Sequence, residues 1–90
     1  MQQPRVLKAT RDVVAVYKPA GMPFHSQGVD RPGLLAALRA RGPALLDGTA
    51  AAGARLYALH RLDTDTSGVV AFATSRETAG LLAREFRQKR

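Results

Sequence analysis

Residues 55–73 read Arg55-Leu56-Tyr57-Ala58-Leu59-His60-Arg61-Leu62-Asp63-Thr64-Asp65-Thr66-Ser67-Gly68-Val69-Val70-Ala71-Phe72-Ala73. Two apolar runs with β-branched and aromatic residues flank a polar centre. Their lengths suit short strands, so residues 55–59 and 69–73 are expected to be extended. The centre, residues 60–68, combines charged groups, hydroxyls and a closing Gly, and predicts a loop held between the two strands. Polar loops on a rigid strand scaffold are where binding and catalytic groups concentrate.

Working toward the N-terminus, Val6-Leu7-Lys8-Ala9-Thr10 predicts a short edge strand. Residues 12–18 predict a stronger one. Val13-Val14-Ala15-Val16-Tyr17 is a nearly continuous apolar run, the pattern of a strand buried on both faces. Pro19-Ala20-Gly21 ends it in a turn, Pro presetting φ and Gly accepting a backbone geometry other residues resist. Residues 22–25 resume as a short extended piece, and residues 26–30 form a loop. Asp30 is placed to cap a helix with Pro32 in its first turn and Leu34, Leu35 and Leu38 on its apolar face. Gly42-Pro43 is expected to stop that helix. Residues 43–54, mostly small, read as a connection without evident chemistry.

Beyond residue 73, Ser75 is the predicted cap of a final helix, and Glu77 suits the positive end of its dipole. Ala79, Leu82, Ala83 and Phe86 recur at helical spacing as its buried stripe, while Arg84, Arg87, Lys89 and Arg90 approach its negative end. The sequence stops inside this helix with no Gly, Asn or Pro to close it. The order strand, helix, strand, strand, helix predicts an α+β fold: a mixed, largely antiparallel sheet with flanking helices.

Charge narrows the function. Fourteen Lys plus Arg against seven Asp plus Glu give a formal net charge of +7 and a pI near 11.1. In a domain this small, that balance is the footprint of a polyanion binder. Most of the cations are Arg, which forks onto phosphates and stacks on bases. The competing explanation is a GC-rich genome, which would also enrich Arg and Ala. The absence of Cys excludes a disulfide framework and a thiolate metal site. No signal-peptide pattern and no apolar run of membrane-spanning length occurs, so a soluble cytoplasmic protein without a membrane partner is expected.

The candidate chemistry lies in residues 60–68. Asp63 and Asp65 could divide acid and base roles or hold a cation. The metal reading is weak, because no further acidic or His ligand has suitable spacing and Arg61 would repel the ion. Both residues could equally form Asx-turns that brace the loop. An Arg61 guanidinium beside Asp63 would keep the carboxylate ionised and attract phosphates, or form only an exposed surface pair worth little. His60 suits either a site or a hydrogen-bonded structural role. Thr66-Ser67-Gly68 offers hydroxyls and N–H groups to an anion, or simply turns into the next strand. Lys18 and His25 flank the upstream turn, where either could meet a phosphate.

Taken together, His60-Arg61-Leu62-Asp63 followed by Thr66-Ser67-Gly68 resembles the signature of the RluA-type pseudouridine synthases. Tyr17-Lys18-Pro19-Ala20-Gly21-Met22 with His25 resembles the same family's upstream Lys-Pro-x-Gly…His element. A sister group of small-subunit-type enzymes usually has Gly where His60 stands, which favours the RluA type. The resemblance spans about residues 11–90. It implies an enzyme that converts selected uridines of ribosomal or transfer RNA to pseudouridine without metal or organic cofactor; a monomer is expected. The uracil is detached from its ribose, rotated and rejoined through carbon. By this resemblance Asp63 is the catalytic aspartate, as nucleophile or base. Arg61, Lys18 and His60 are the RNA-binding set, Lys18 being mainly structural or phosphate-facing, His60 also shaping the loop, and Arg61 entering the space left by the flipped base, a movement needed to expose the glycosidic bond. Thr66, Ser67 and Gly68 shape the loop.

The family domain is longer than 90 residues. It continues into a strand whose Tyr packs on the target base and into later strands that supply a basic partner for the aspartate. Tyr17 and Tyr57 lie in the wrong elements to replace that Tyr. The expectation is therefore the N-terminal portion of a catalytic domain, inactive by itself, with no separate RNA-binding domain ahead of the motifs. Two other readings stay open: a non-catalytic basic RNA-binding module, and a hydrolase using Asp63 and Asp65 as an acid–base pair.

Overall fold

The computed structural model describes residues 3–88. The expected helix-end cations Lys89 and Arg90 lie outside that range, as do the side chains of Phe86 and Arg87. Four strands, β1 (Arg5–Ala9), β2 (Val13–Lys18), β3 (Tyr57–Ala58) and β4 (Gly68–Ala73), accompany two helices, α1 (Leu34–Leu45) and α2 (Arg76–Gln88). The strands form one sheet in the order β1-β2-β4-β3, and each pairing is antiparallel. This is the expected α+β arrangement.

The β2–β4 ladder is the centre of the sheet, with Val14 opposite Phe72, Val16 opposite Val70 and Lys18 opposite Gly68. Successive strand residues point to opposite faces, so Val14, Val16 and Lys18 share one side. That side is fully buried, as are Val70 and Phe72 across from it. Leu34 and Leu38 of α1, together with Phe24, Leu46 and Ala51, complete the core over this face. The expected burial of β2 on both faces is corrected. Val13, Ala15 and Tyr17 are only half-buried, Val69 is 51% exposed, and the Arg5 guanidinium sits 5.5 Å from the Tyr17 ring centroid.

Helix α1 differs at both ends from its sequence reading. It begins at Leu34, so Asp30 and Pro32 precede it. Its first N–H groups are met by backbone: Leu34 donates to the Pro23 carbonyl at 2.9 Å and Leu35 to that of Phe24 at 3.2 Å. Residues 22–25 thus form no strand and instead supply acceptors that a capping side chain would otherwise provide. Gly33 allows this approach, since a Cβ there would lie 2.6–2.7 Å from backbone atoms of Phe24, His25 and Ser26. At the other end α1 runs through Gly42-Pro43 to Leu45. A Pro inside a helix costs about 3 kcal/mol. Burial of Leu46, and partial burial of Leu45 against the core, offsets it at about 1.5–3 kcal/mol per fully buried side chain. Helix α2 starts as expected: the Thr78 N–H donates to Ser75 Oγ at 3.1 Å, and Ala79, Leu82 and Ala83 are half-buried.

Candidate active site

The motif residues form the crossing from β3 to β4. The expected strand over residues 55–59 shortens to Tyr57–Ala58, opposite Ala73 and Phe72. Leu59 adds one more bond, its N–H donating to the Ala71 carbonyl at 3.1 Å. The Ala71 N–H then donates to His60 Nε2 at 3.1 Å. The acceptor must be unprotonated, so the imidazole is neutral with its proton on Nδ1. Burial disfavours the charged form and lowers the His60 pKa below the ordinary histidine value.

Past His60, burial alternates. Leu62 packs against the core, and Arg61 and Asp63 on either side of it are exposed. A turn follows, closed by the Thr66 N–H donating to the Asp63 carbonyl at 3.0 Å. Asp65, Thr66 and Ser67 on this turn are exposed. Gly68 returns the chain to the sheet opposite Lys18.

The loop is tied from beneath by Lys18. Its side chain is fully buried, and its ammonium donates to three carbonyls: Met22 at 2.7 Å, Pro19 at 3.1 Å and Thr64 at 3.1 Å. Three donors meet three acceptors, which is the condition for keeping a buried charge. Burial lowers the Lys18 pKa from its ordinary value, opposed by the fields of Asp65 and Asp63. The Thr64 carbonyl also accepts from the Gly21 N–H at 2.8 Å. Gly21, at φ 89°, turns the chain so that this N–H reaches the loop.

A cleft of about 370 Å³ opens beside the loop, lined by Pro23, Phe24, His25, Ser26, Gln27, Arg61, Leu62, Asp63 and Thr64. The fold therefore brings His25 to Arg61 and Asp63. Phe24 sets its neighbour in place, its ring stacked on Phe72 at 6.4 Å and edge-on to His25 at 5.0 Å. Ser26 Oγ accepts from the Gly33 N–H at 3.0 Å, fixing the cleft wall to the start of α1. The sequence pattern gave no sign of Phe24, Ser26 or Gln27 as lining residues, because only the packing of residues 23–27 against α1 brings them there.

Two expectations change. Arg61 and Asp63 share the cleft without forming an ion pair; among the described residues the one such pair is Arg11–Asp12, with both side chains exposed. Lys18 faces inward to carbonyls rather than outward to solvent. Among the described residues no three His, Asp or Glu side chains come together as a metal site, and no helix is long and apolar enough to cross a membrane.

The sequence profile of the RNA pseudouridylate synthase family matches residues 12–90, and the chain belongs to that family. It is 38% identical over 77 residues to tRNA pseudouridine synthase C of Pasteurella multocida, covering 86% of this chain and 29% of that protein. It is 34% identical over 93 residues to an uncharacterized RNA pseudouridine synthase of Mycobacterium tuberculosis, covering 93% and 27%. Human RNA Pseudouridylate Synthase Domain Containing 4 superposes with a TM-score of 0.67 at 30% identity, over 93% of this chain and 30% of the human one. The chain thus spans less than a third of the length of these relatives.

Proposed function

We propose that residues 1–90 are the motif-bearing N-terminal portion of an RNA pseudouridine synthase catalytic domain. Turnover requires the further polypeptide that the relatives possess. The observation that carries this reading is the exposed Asp63 on a loop tied down through the Thr64 carbonyl, sharing a cleft with Arg61 and His25. A carboxylate held on a rigid loop is positioned for attack or proton transfer without a cofactor. Asp63 acts as nucleophile or base while the bond from ribose C1′ to uracil N1 breaks. The uracil turns, C1′ bonds to C5, the C5 proton is released, and N1, left with the electron pair of the broken bond, takes up a proton, so product and substrate are isomers. Arg61 occupies the gap in the flipped strand, and exposed cations bind phosphates. Lys18 serves from below by fixing the loop, and Thr66, Ser67 and Gly68 set its return to β4. The substrate is a uridine of cytoplasmic RNA. Transfer RNA is the first candidate, because four relatives are named tRNA pseudouridine synthase C; ribosomal RNA is the second.

The test is pseudouridine mapping of transfer and ribosomal RNA from cells carrying the intact gene, a deletion, or Asp63→Asn. A site lost in both altered strains establishes the substrate and the aspartate's role. Retention of every site in Asp63→Asn cells rejects that role. The short span relative to the relatives favours one second reading, a non-catalytic RNA-binding module. On that reading Asp63→Asn leaves RNA affinity intact and no site depends on the gene.

A further inference from the structure

The crossing from β3 to β4 contains a substitution in the ladder itself. In a regular antiparallel pair, hydrogen-bonded partners exchange two N–H···O bonds. Leu59 and Ala71 make the first: the Leu59 N–H donates to the Ala71 carbonyl. The second should run from the Ala71 N–H to the Leu59 carbonyl. It runs instead to the imidazole of the next residue, His60 Nε2, at 3.1 Å. The side chain thus satisfies an N–H that the strand backbone leaves, and the chain departs the sheet at that point. Leu62 then packs inward, with Arg61 and Asp63 exposed around it.

We propose that His60 is a positioning residue. Its unprotonated Nε2 replaces a strand carbonyl at Ala71 and so sets where the chain leaves β4 to present Asp63. This deepens the proposed function, on which only the word "positioning" rests; the bond and its structural consequence stand without it. A Gln at position 60 can place an amide oxygen near the Nε2 position, and Ala cannot.

The test uses the 90-residue chain, isotope-labelled, with no RNA present. His25, exposed in the cleft, is the internal reference for the imidazole spectrum. Long-range proton–nitrogen correlation at neutral pH should show His60 as the Nδ1-protonated tautomer. His60→Ala should speed exchange of the Ala71 amide up to about tenfold and shift the Asp63 amide and carboxyl resonances. His60→Gln should restore both toward wild type. An Nε2-protonated His60, or unchanged Ala71 exchange and Asp63 resonances in His60→Ala, overturns the proposal. If His60→Ala does not fold, the wild-type tautomer and the His60→Gln spectrum still decide it. Failure here leaves the Asp63→Asn mapping untouched, and failure of that mapping leaves these spectra untouched.

Discussion

Two clefts flank the core, and they differ in kind. The larger, about 620 Å³, lies between α1 and β3 and is walled by Leu35, Leu38, Leu46 and Leu56 with Arg39 and Arg55 among its lining. The smaller, about 370 Å³, holds Asp63, Arg61 and His25. Size would choose the first. Chemistry chooses the second, because it alone of the two has a carboxylate, on a loop that a buried ammonium ties to the turn after β2. The candidate site is distinguished by what immobilises its polar groups, not by its volume.

Four changes, the first with a control in the larger cleft, sharpen that contrast, taken from the largest expected effect. Asp63→Asn should lower pseudouridine formation at the gene-dependent RNA site by about 10³-fold or more. Arg39→Ala, in the larger cleft, should change it by no more than about twofold; equal losses from both would erase the distinction between the clefts. Lys18→Met should cost about 3 kcal/mol in urea unfolding, because the Pro19, Met22 and Thr64 carbonyls lose their donor. Its spectral changes should centre on residues 19–22 and 63–66, and changes confined to β2 would show that Lys18 does not hold the loop.

Gly33→Ala should destabilise by about 1–3 kcal/mol, since the new Cβ meets backbone rather than a yielding side chain. It should also move the His25 resonances while leaving Ala71 in place. The smallest effect is on pH. His60 is held neutral, with its folded pKa below the unfolded value of 6.5. Above pH 6.5 both states are neutral and stability is full. As pH falls from 6.5 toward the folded pKa, the unfolded state takes up the proton first and stability declines, then levels off below the folded pKa. The slope contributed by this group is at most about 1.4 kcal/mol per pH unit. Urea midpoints at pH 7.5 and 5.5 should separate in wild type more than in His60→Gln.

The β2 and β4 strands, the Ser75 cap and the motif loop were legible because each depends on neighbours in sequence. A continuous apolar run marks β2 as a strand, strand geometry puts Val14 and Val16 on one face, and Ser75 lies within reach of the Thr78 N–H whatever surrounds it. Helix α1 was legible only in its apolar face. Gly42-Pro43 signals a stop, yet Leu45 and Leu46 draw the helix onward against the core. The true start also needed residues 23–26, whose carbonyls cap it from outside the local window. At its C-terminal end the expected strand β3 ran one residue too far, since beyond Ala58 the imidazole of His60 meets Ala71 in place of the backbone.

The sequence alone determined the strand–loop–strand core, the basic net charge and the candidacy of Asp63, because strand patterning, turn chemistry and net charge are local or additive. Tertiary structure decided which face of β2 is covered, and with it the fate of Lys18. Alternation assigns Lys18 to the side of Val14 and Val16, but only the packing of α1 and the crossing loop makes that side the interior. Once inside, an ammonium must find acceptors, and the nearest are the carbonyls of Pro19, Met22 and Thr64. That requirement, set by desolvation across distant parts of the chain, is what ties Asp63's loop to the sheet.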